Sequence, residues 1–249
     1  MRLNGKVALI TGGGTGIGEA TAKIFAAEGA QVAITGRRKD VLEGVAKSIV
    51  SNGGKVLVVA GSVTDEAHVQ SAVDQAVRTF GKIDILINNA AIGVFGTPLH
   101  EMTDQAWQDI LDTNLTGVFR VTRAVIPHML ERGGSIVNVS SVAGLVGIPG
   151  LAAYSGTKGA LVALTRCLAI DYAAQKIRCN CVCPALVDTP MAADAIADPD
   201  MNAMMLAKHP IGRFGTPDDV ARMLLYLASE DASWVTGSLF TIDGGWTAQ

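Results

Sequence analysis

The chain has 249 residues, about half of them apolar, 28 of them glycine, and a formal net charge of -3. This size and hydrophobicity are enough for a buried core and exclude a disordered chain. The charge balance leaves no basic footprint for nucleic acid. No segment has the apolar length of a membrane span and no cleavable signal precedes the first apolar run, so we expect a cytoplasmic protein with no membrane partner.

Short β-rich runs alternate with helical patterns. The first run, KVALIT (6–11), leads into TGGGTGIG (11–18) and then a helical pattern over about 16–28. A glycine-rich turn lets the backbone turn tightly and approach a ligand, and the helix behind it offers free N–H groups and a positive dipole end. The spacing is GxxxGxG, carried by Gly12, Gly16 and Gly18, and departs from the strict GxGxxG fingerprint. Its place after the first strand of an alternating chain makes it a nucleotide-binding turn.

The second run, QVAIT (31–35), ends in AITGRRKD. In dinucleotide folds an acid near this point holds the ribose hydroxyls, whereas arginine accommodates a 2′-phosphate. Here Gly36 is followed by Arg37 and Arg38, and the first acid is Asp40. Arg37 can pair with a phosphate through two parallel hydrogen bonds. The plainer alternative makes both arginines solvated charges at a helix start. NADP is favoured over NAD, although Thr15 adds no second basic residue in the turn.

A helical pattern over about 38–51, the run KVLVVA (55–60) and a pattern over about 65–79 follow. IDILINNAA (83–91) ends its strand in two polar residues, Asn88 and Asn89. A long helical pattern over about 103–130 carries Asn114 in its middle, where an amide disfavours helix. GSIVNV (134–139) closes on Ser140 and Ser141, and a further pattern covers about 152–174. IRCNCV (177–182) brings Cys179, Cys181 and Cys183 to one strand face. Their spacing fits no zinc pattern, so three small buried side chains are favoured over a metal or redox cluster, and the four His supply no HExxH pair. No metal is expected. A pattern over about 217–229 and the run SLFTID (238–243) complete the chain.

Strand–helix alternation with near-continuous apolar strands predicts one α/β domain built on a doubly wound parallel sheet of seven strands. The Ala- and Met-rich stretch 189–215, bracketed by Pro190 and Pro210, interrupts the alternation. It is expected to be a mobile lid over a pocket, with a surface helix pair as the alternative.

AAYSGTKGALVAL (152–164) carries a phenol and an amine four residues apart, Tyr154 and Lys158, on one helix face. A free phenol ionises near pH ~10, and a neighbouring ammonium lowers that value, which would make the pair a tuned acid/base. A tyrosine at a helix start beside a snorkelling lysine is the plain alternative. Ser140 and Ser141 lie at the carboxyl end of the preceding strand, where ligands of such sheets bind.

Taken together, TGGGTGIG, NNAA, Asn114, SS followed by YSGTK, CPALVDTP and FTIDGG resemble the short-chain dehydrogenase/reductase family over essentially the whole chain. The resemblance is greatest to members of the 3-oxoacyl-carrier-protein reductase and glucose dehydrogenase type. It implies a Rossmann-type sheet and an oxidoreductase that interconverts a ketone and a secondary alcohol with NADP, or alternatively NAD. The implied catalytic residues are Tyr154 as proton donor or acceptor, Lys158 as its partner and ribose ligand, Ser141 on the substrate oxygen, and Asn114 supporting a water-linked proton relay through Lys158. Ser140 would point elsewhere.

The implied cofactor residues are Gly12, Gly14, Thr15, Gly16, Ile17, Gly18, Arg37, Arg38, Ser62, Val63, Asn88, Ala90, Tyr154, Lys158, Pro184, Ala185, Val187 and Thr189. Asn88 and Ala90 are assigned to the adenosine side. Val94, Phe95, Val142, Ile148, Leu151, Leu186 and Met191 would line the substrate pocket. With no Arg or Lys evident among them, an apolar or neutral small-molecule substrate is expected, an acyl-carrier substrate being the alternative. Three positions depart from the family pattern: Ala91 replaces a glycine, Ala185 a second glycine, and Ser62 an acid. The resemblance also implies a homotetramer joined through the long helices and the last strand. A non-catalytic nucleotide sensor is disfavoured because all four catalytic positions are filled, and a serine hydrolase because no GxSxG elbow exists.

Overall fold

The computed structural model describes residues 1–249. In chain order the main elements are β1 (Val7–Thr11), α1 (Gly16–Ala27), β2 (Gln31–Gly36), α2 (Lys39–Ser51), β3 (Lys55–Ala60), α3 (Glu66–Phe80) and β4 (Ile85–Asn88). These are followed by α4 (Asp104–Leu111), α5 (Gly117–Val125), β5 (Gly134–Val139), α6 (Ala152–Asp171) and β6 (Ile177–Pro184). The chain closes with α7 (Ala193–Ala197), α8 (Pro199–Leu206), α9 (Pro217–Ala228) and β7 (Leu239–Ile242). All strand pairs are parallel, in the order β3-β2-β1-β4-β5-β6-β7. This is a single-domain, doubly wound Rossmann-type sheet.

Alternate residues of the apolar strands feed two cores, one on each face of the sheet. Ile10, Ile34, Val137 and Val182 pack with Phe25 of α1 and Leu224 of α9. Their neighbours Leu9, Ala33 and Ile136 pack with Val73 of α3, Val125 of α5 and Met129. A strand buried on both faces needs an apolar residue at nearly every position, which is why these strands read as unbroken runs. Cys179, Cys181 and Cys183 are fully buried free thiols on the face covered by α6, and burial pushes the Cys179 thiol up to about 12. No helix is long and apolar enough to cross a membrane.

The strand order reverses between β1 and β4, and this switch point opens a crevice at the strands' carboxyl ends. The long helical pattern over 103–130 is not one helix. It breaks into α4, a π turn over Asp112–Thr116, α5 and a 3-10 turn at Ile126–His128. The π turn sits at Asn114, whose side chain bonds outside its own helix, and such bulges often mark functional positions.

Candidate active site

A groove of about 800 Å³ follows the carboxyl ends of the strands, from Arg37 and Arg38 after β2 to Ser141 after β5 and Pro184 at the end of β6. At its centre the glycine turn meets α1. Thr15 caps α1 in an extended conformation but makes no side-chain cap bond, so the first N–H groups of the helix remain available to an anion. Gly12 adopts a left-handed φ of 66°, which turns the chain from β1 toward the helix. A Cβ at Gly18 would overlap the Gly12 carbonyl oxygen, so Gly18 lets helix and turn close on each other. These features fit a pyrophosphate.

Of the residues expected to hold the dinucleotide, Gly12, Gly14, Thr15, Gly16, Ile17, Arg37, Arg38, Ser62, Val63, Ala90, Tyr154, Lys158, Pro184, Ala185, Val187 and Thr189 line the groove. Arg37 and Arg38 are exposed and neither is in a salt bridge. Gly18 does not line the groove. It lies behind the turn and shapes the groove through its packing. Asn88 does not line it either. As the last residue of β4 it points into the protein, where its Nδ2 donates to Thr122 Oγ1 (3.0 Å) and Asn138 Oδ1 (2.9 Å). The next residue, Asn89, reaches the groove, and its Nδ2 donates to the carbonyls of Thr11 (2.9 Å) and Gly12 (3.2 Å), fastening the glycine turn to β4.

Tyr154 and Lys158 both face the groove from the first turns of α6. The Lys158 ammonium lies 5.5 Å from the Tyr154 ring centroid and donates to the Val139 carbonyl at 2.8 Å. Ser140 donates to the Lys158 carbonyl at 2.7 Å and so turns away from the reacting centre. The Ser141 hydroxyl donates to the Pro184 carbonyl at 3.3 Å and, as a neighbour of the Tyr154 hydroxyl, opposes the rise of its pKa without reversing it. Tyr154 is half-buried and lines the groove.

Burial pushes that phenol up to about 12, the Ser141 bond offsetting only part of the rise, and burial brings Lys158 down to about 8. The Tyr–Lys spacing leads one to expect a lowered phenol, whereas in the protein by itself burial sets the direction and raises it.

Asn114 is fully buried and does not line the groove. Its Oδ1 accepts from the Ile92 N–H (2.9 Å), and its Nδ2 donates to the Ile92 carbonyl (2.8 Å) and to Thr157 Oγ1 (3.4 Å). It ties the loop after β4 to the turn of α6 that carries Lys158, with no direct bond to Lys158 itself.

On the substrate side, Phe95, Val142, Ile148, Leu151, Leu186 and Met191 line the groove. The Phe95 ring folds back over Gly93 and meets the Tyr154 ring edge-on at 5.6 Å, whereas Val94 does not line the groove. Stretch 189–215 forms α7 and α8 beside the groove and contributes Ala195, Met201, Met204, Met205 and Lys208. Trp246, beyond β7, also lines it. The sequence pattern points to none of these five lid residues individually, nor to Trp246. Lys208 also corrects the expectation of a substrate region without a basic side chain. No group of three or more His, Cys, Asp or Glu is arranged to hold a metal ion.

A parallel sheet with a dinucleotide crevice at its switch point, and a Ser–Tyr–Lys set at one end of it, defines a nicotinamide-dependent oxidoreductase. Residues 12–247 match a family model described as enoyl-(acyl carrier protein) reductase. The chain is 45% identical to 2-(S)-hydroxypropyl-CoM dehydrogenase 3 of Xanthobacter autotrophicus, covering 99% of this chain and 98% of that protein. It is 42% identical to the 3-oxoacyl-[acyl-carrier-protein] reductase of Thermotoga maritima, over 98% of this chain and 99% of that one. The crystal structure of a short-chain type dehydrogenase/reductase from Mycobacterium marinum superposes with a TM-score of 0.95 at 38% identity, over 99% of this chain and 97% of that one. The chain belongs to the short-chain dehydrogenase/reductase family and is an NAD(P)-dependent oxidoreductase acting on CH–OH and C=O groups.

Proposed function

We propose that the protein is an NADP(H)-linked reductase of ketones to secondary alcohols, reversible in the oxidative direction, with Tyr154 as the acid. The observation that carries this reading is the placement of the Tyr154, Ser141 and Lys158 side chains at one end of a groove whose other end holds two unpaired arginines. The bound nicotinamide coenzyme supplies or accepts the hydride. Ser141 donates a hydrogen bond to the substrate oxygen and polarises the carbonyl. The Tyr154 hydroxyl, neutral across the physiological range, gives that oxygen its proton. The Lys158 ammonium, fixed by the Val139 carbonyl, stabilises the phenolate left behind and would hold the coenzyme ribose. Asn114 is a positioning residue that holds the Ile92 loop and the Thr157 turn around this centre. The helices of 189–215 serve as a lid over the substrate end. The name of the Thermotoga relative, a 3-oxoacyl reductase, supports the reductive direction.

Arg37 and Arg38 are assigned to the 2′-phosphate of NADP, since both line the groove and neither has an acidic partner. A fluorescence titration with NADPH and NADH in parallel tests this assignment. Wild-type protein should bind NADPH more tightly. Changing both Arg37→Ala and Arg38→Ala should weaken NADPH by about tenfold or more and leave NADH within about threefold, as expected for loss of charge-assisted bonds to one phosphate. Equal weakening of both coenzymes would make the arginines general backbone-charge contacts, and tighter NADH binding by the wild type would move the enzyme to the NAD class.

We also propose a homotetramer. Trp107 on α4, Phe119 on α5, Ile170 on α6 and Trp234 before the edge strand β7 are large exposed apolar side chains on the elements that would join copies. Light scattering should give a mass near four times the 25.8 kDa chain, and a monomer would exclude this assembly.

A further inference from the structure

The groove is lined by four cationic side chains, Arg37, Arg38, Lys158 and Lys208, and by no carboxylate. The proposed reaction absorbs the first three. Lys208 has no such role, and the sheet places it at the catalytic end. Arg37 and Arg38 follow β2, on one side of the switch point, whereas Lys208 packs against the segment after β7, on the other. Its Nζ lies 5.7 Å from the centroid of the Trp246 ring. Trp246 follows β7, whose Ile242 carbonyl accepts from the N–H of Ala185, next to Pro184, and the Pro184 carbonyl in turn accepts from Ser141. The lid backbone is also tied to the chain end, Gln249 Nε2 donating to the Lys208 carbonyl at 3.2 Å.

An exposed lysine ordinarily finds a carboxylate or points to bulk water. The lid offers Asp194, Asp198 and Asp200, yet Lys208 pairs with none of them. Instead it rests over an indole face in a region otherwise rich in Met and other apolar side chains, among them Met191, Met201, Met204 and Met205. An ammonium held over an aromatic face inside an apolar mouth, with no counter-charge, is completed by an anion brought in by the ligand.

We propose that Lys208 is an anion-binding point for the substrate, so that the preferred substrates are ketones or secondary alcohols carrying a compact anionic group, a carboxylate or a sulfonate, at the end remote from the reacting carbon. This rests on the reading of the groove as a carbonyl–alcohol oxidoreductase site. The methionines would line the intervening apolar chain, and Lys208 would select for the charge at its far end.

The test uses a series of methyl ketones bearing a terminal carboxylate at increasing chain length, the methyl ester of each, and the matching sulfonates. The quantity read is the ratio of kcat/KM for anion over ester. In the wild type this ratio should exceed one at an optimal chain length. It should fall by about tenfold or more in Lys208→Gln, fall further in Lys208→Glu, and be largely retained in Lys208→Arg, with the change carried by KM. The carboxylate and sulfonate arms show which anion the site takes.

A wild-type enzyme that reduces the esters without preferring the anions, or a ratio unmoved in Lys208→Gln, would overturn the anion site while leaving the oxidoreductase reading standing. If no member of either series turns over with either coenzyme, that reading fails for these ketones and calorimetry decides the anion site. Binding of the carboxylate that is lost in Lys208→Gln would support it, and equal binding of carboxylate and ester would overturn it.

Discussion

Tyr154→Phe is expected to lower kcat for ketone reduction by about a thousandfold, the scale of a lost general acid, while NADPH affinity stays within about threefold. On the proposed mechanism the phenol provides the proton at the substrate end of the groove, and the coenzyme would be held chiefly by the glycine turn, the α1 N-terminus and the segment from Pro184 to Thr189, all of which line the groove or open onto it. Removing one hydroxyl leaves the ring, its edge contact with Phe95 and the helix unchanged. Steady-state turnover and a coenzyme titration on the same preparation separate the two effects. If the variant retained more than about a tenth of wild-type kcat, another group would be the acid. A loss of coenzyme affinity as large as the loss of rate would make Tyr154 a binding residue.

Lys158→Met is expected to abolish turnover and, at pH 7, to make the folded protein more stable. Lys158 is 3% exposed, and burial lowers its pKa from 10.5 to about 8. Below pH 8 the native state must keep this ammonium charged in a poorly solvated place, which costs roughly 3 kcal/mol relative to the unfolded chain. The substitution removes that cost and loses the bond to the Val139 carbonyl, worth about 1 kcal/mol, for a net gain of about 1–2 kcal/mol.

The sign of the pH dependence follows from proton counts. Between about pH 8 and 10.5 the native lysine has shed its proton and the unfolded one has not, so wild-type stability from this group rises with pH and the advantage of Lys158→Met shrinks. Urea unfolding of both proteins at pH 7 and near pH 9.5 measures the difference. A variant less stable than wild type at pH 7 would mean that the ammonium is well paired in the fold. Stability given up at a site whose charge the proposed reaction needs is the pattern expected of a functional residue.

The fold was readable in the sequence because its strands are buried on both faces and its helices carry one apolar face. Those two periodicities survive without knowledge of the neighbours. The glycine turn and the Tyr154–Lys158 pair were readable for a similar reason, since their geometry is local to a turn and to one face of one helix.

What was not readable depends on contacts between distant segments or on a single residue of register. Asn88 and Asn89 look equivalent in NNAA, but β4 continues through Asn88 and sends its side chain to Thr122 and Asn138, so only Asn89 reaches the glycine turn. Val94 and Phe95 are separated by the way Phe95 doubles back toward Tyr154. Asn114 hinted at its importance by being an amide within a helical pattern, but its partners at Ile92 and Thr157 come from elsewhere in the chain. Lys208 and Trp246 meet only because the segment after β7 packs against the lid. The direction of the Tyr154 shift was hidden for a different reason: spacing reveals the nearby charge but not the burial that raises the phenol.

The most direct measurement of the central claim is NADPH consumption by the purified protein with a panel of methyl ketones, with NADH run in parallel and the organic product identified. NADPH oxidation should depend on the ketone, one secondary alcohol should form per coenzyme consumed, and both should be lost in Tyr154→Phe. Tight binding of NADPH with no consumption across the panel, or consumption that survives in Tyr154→Phe, would contradict it.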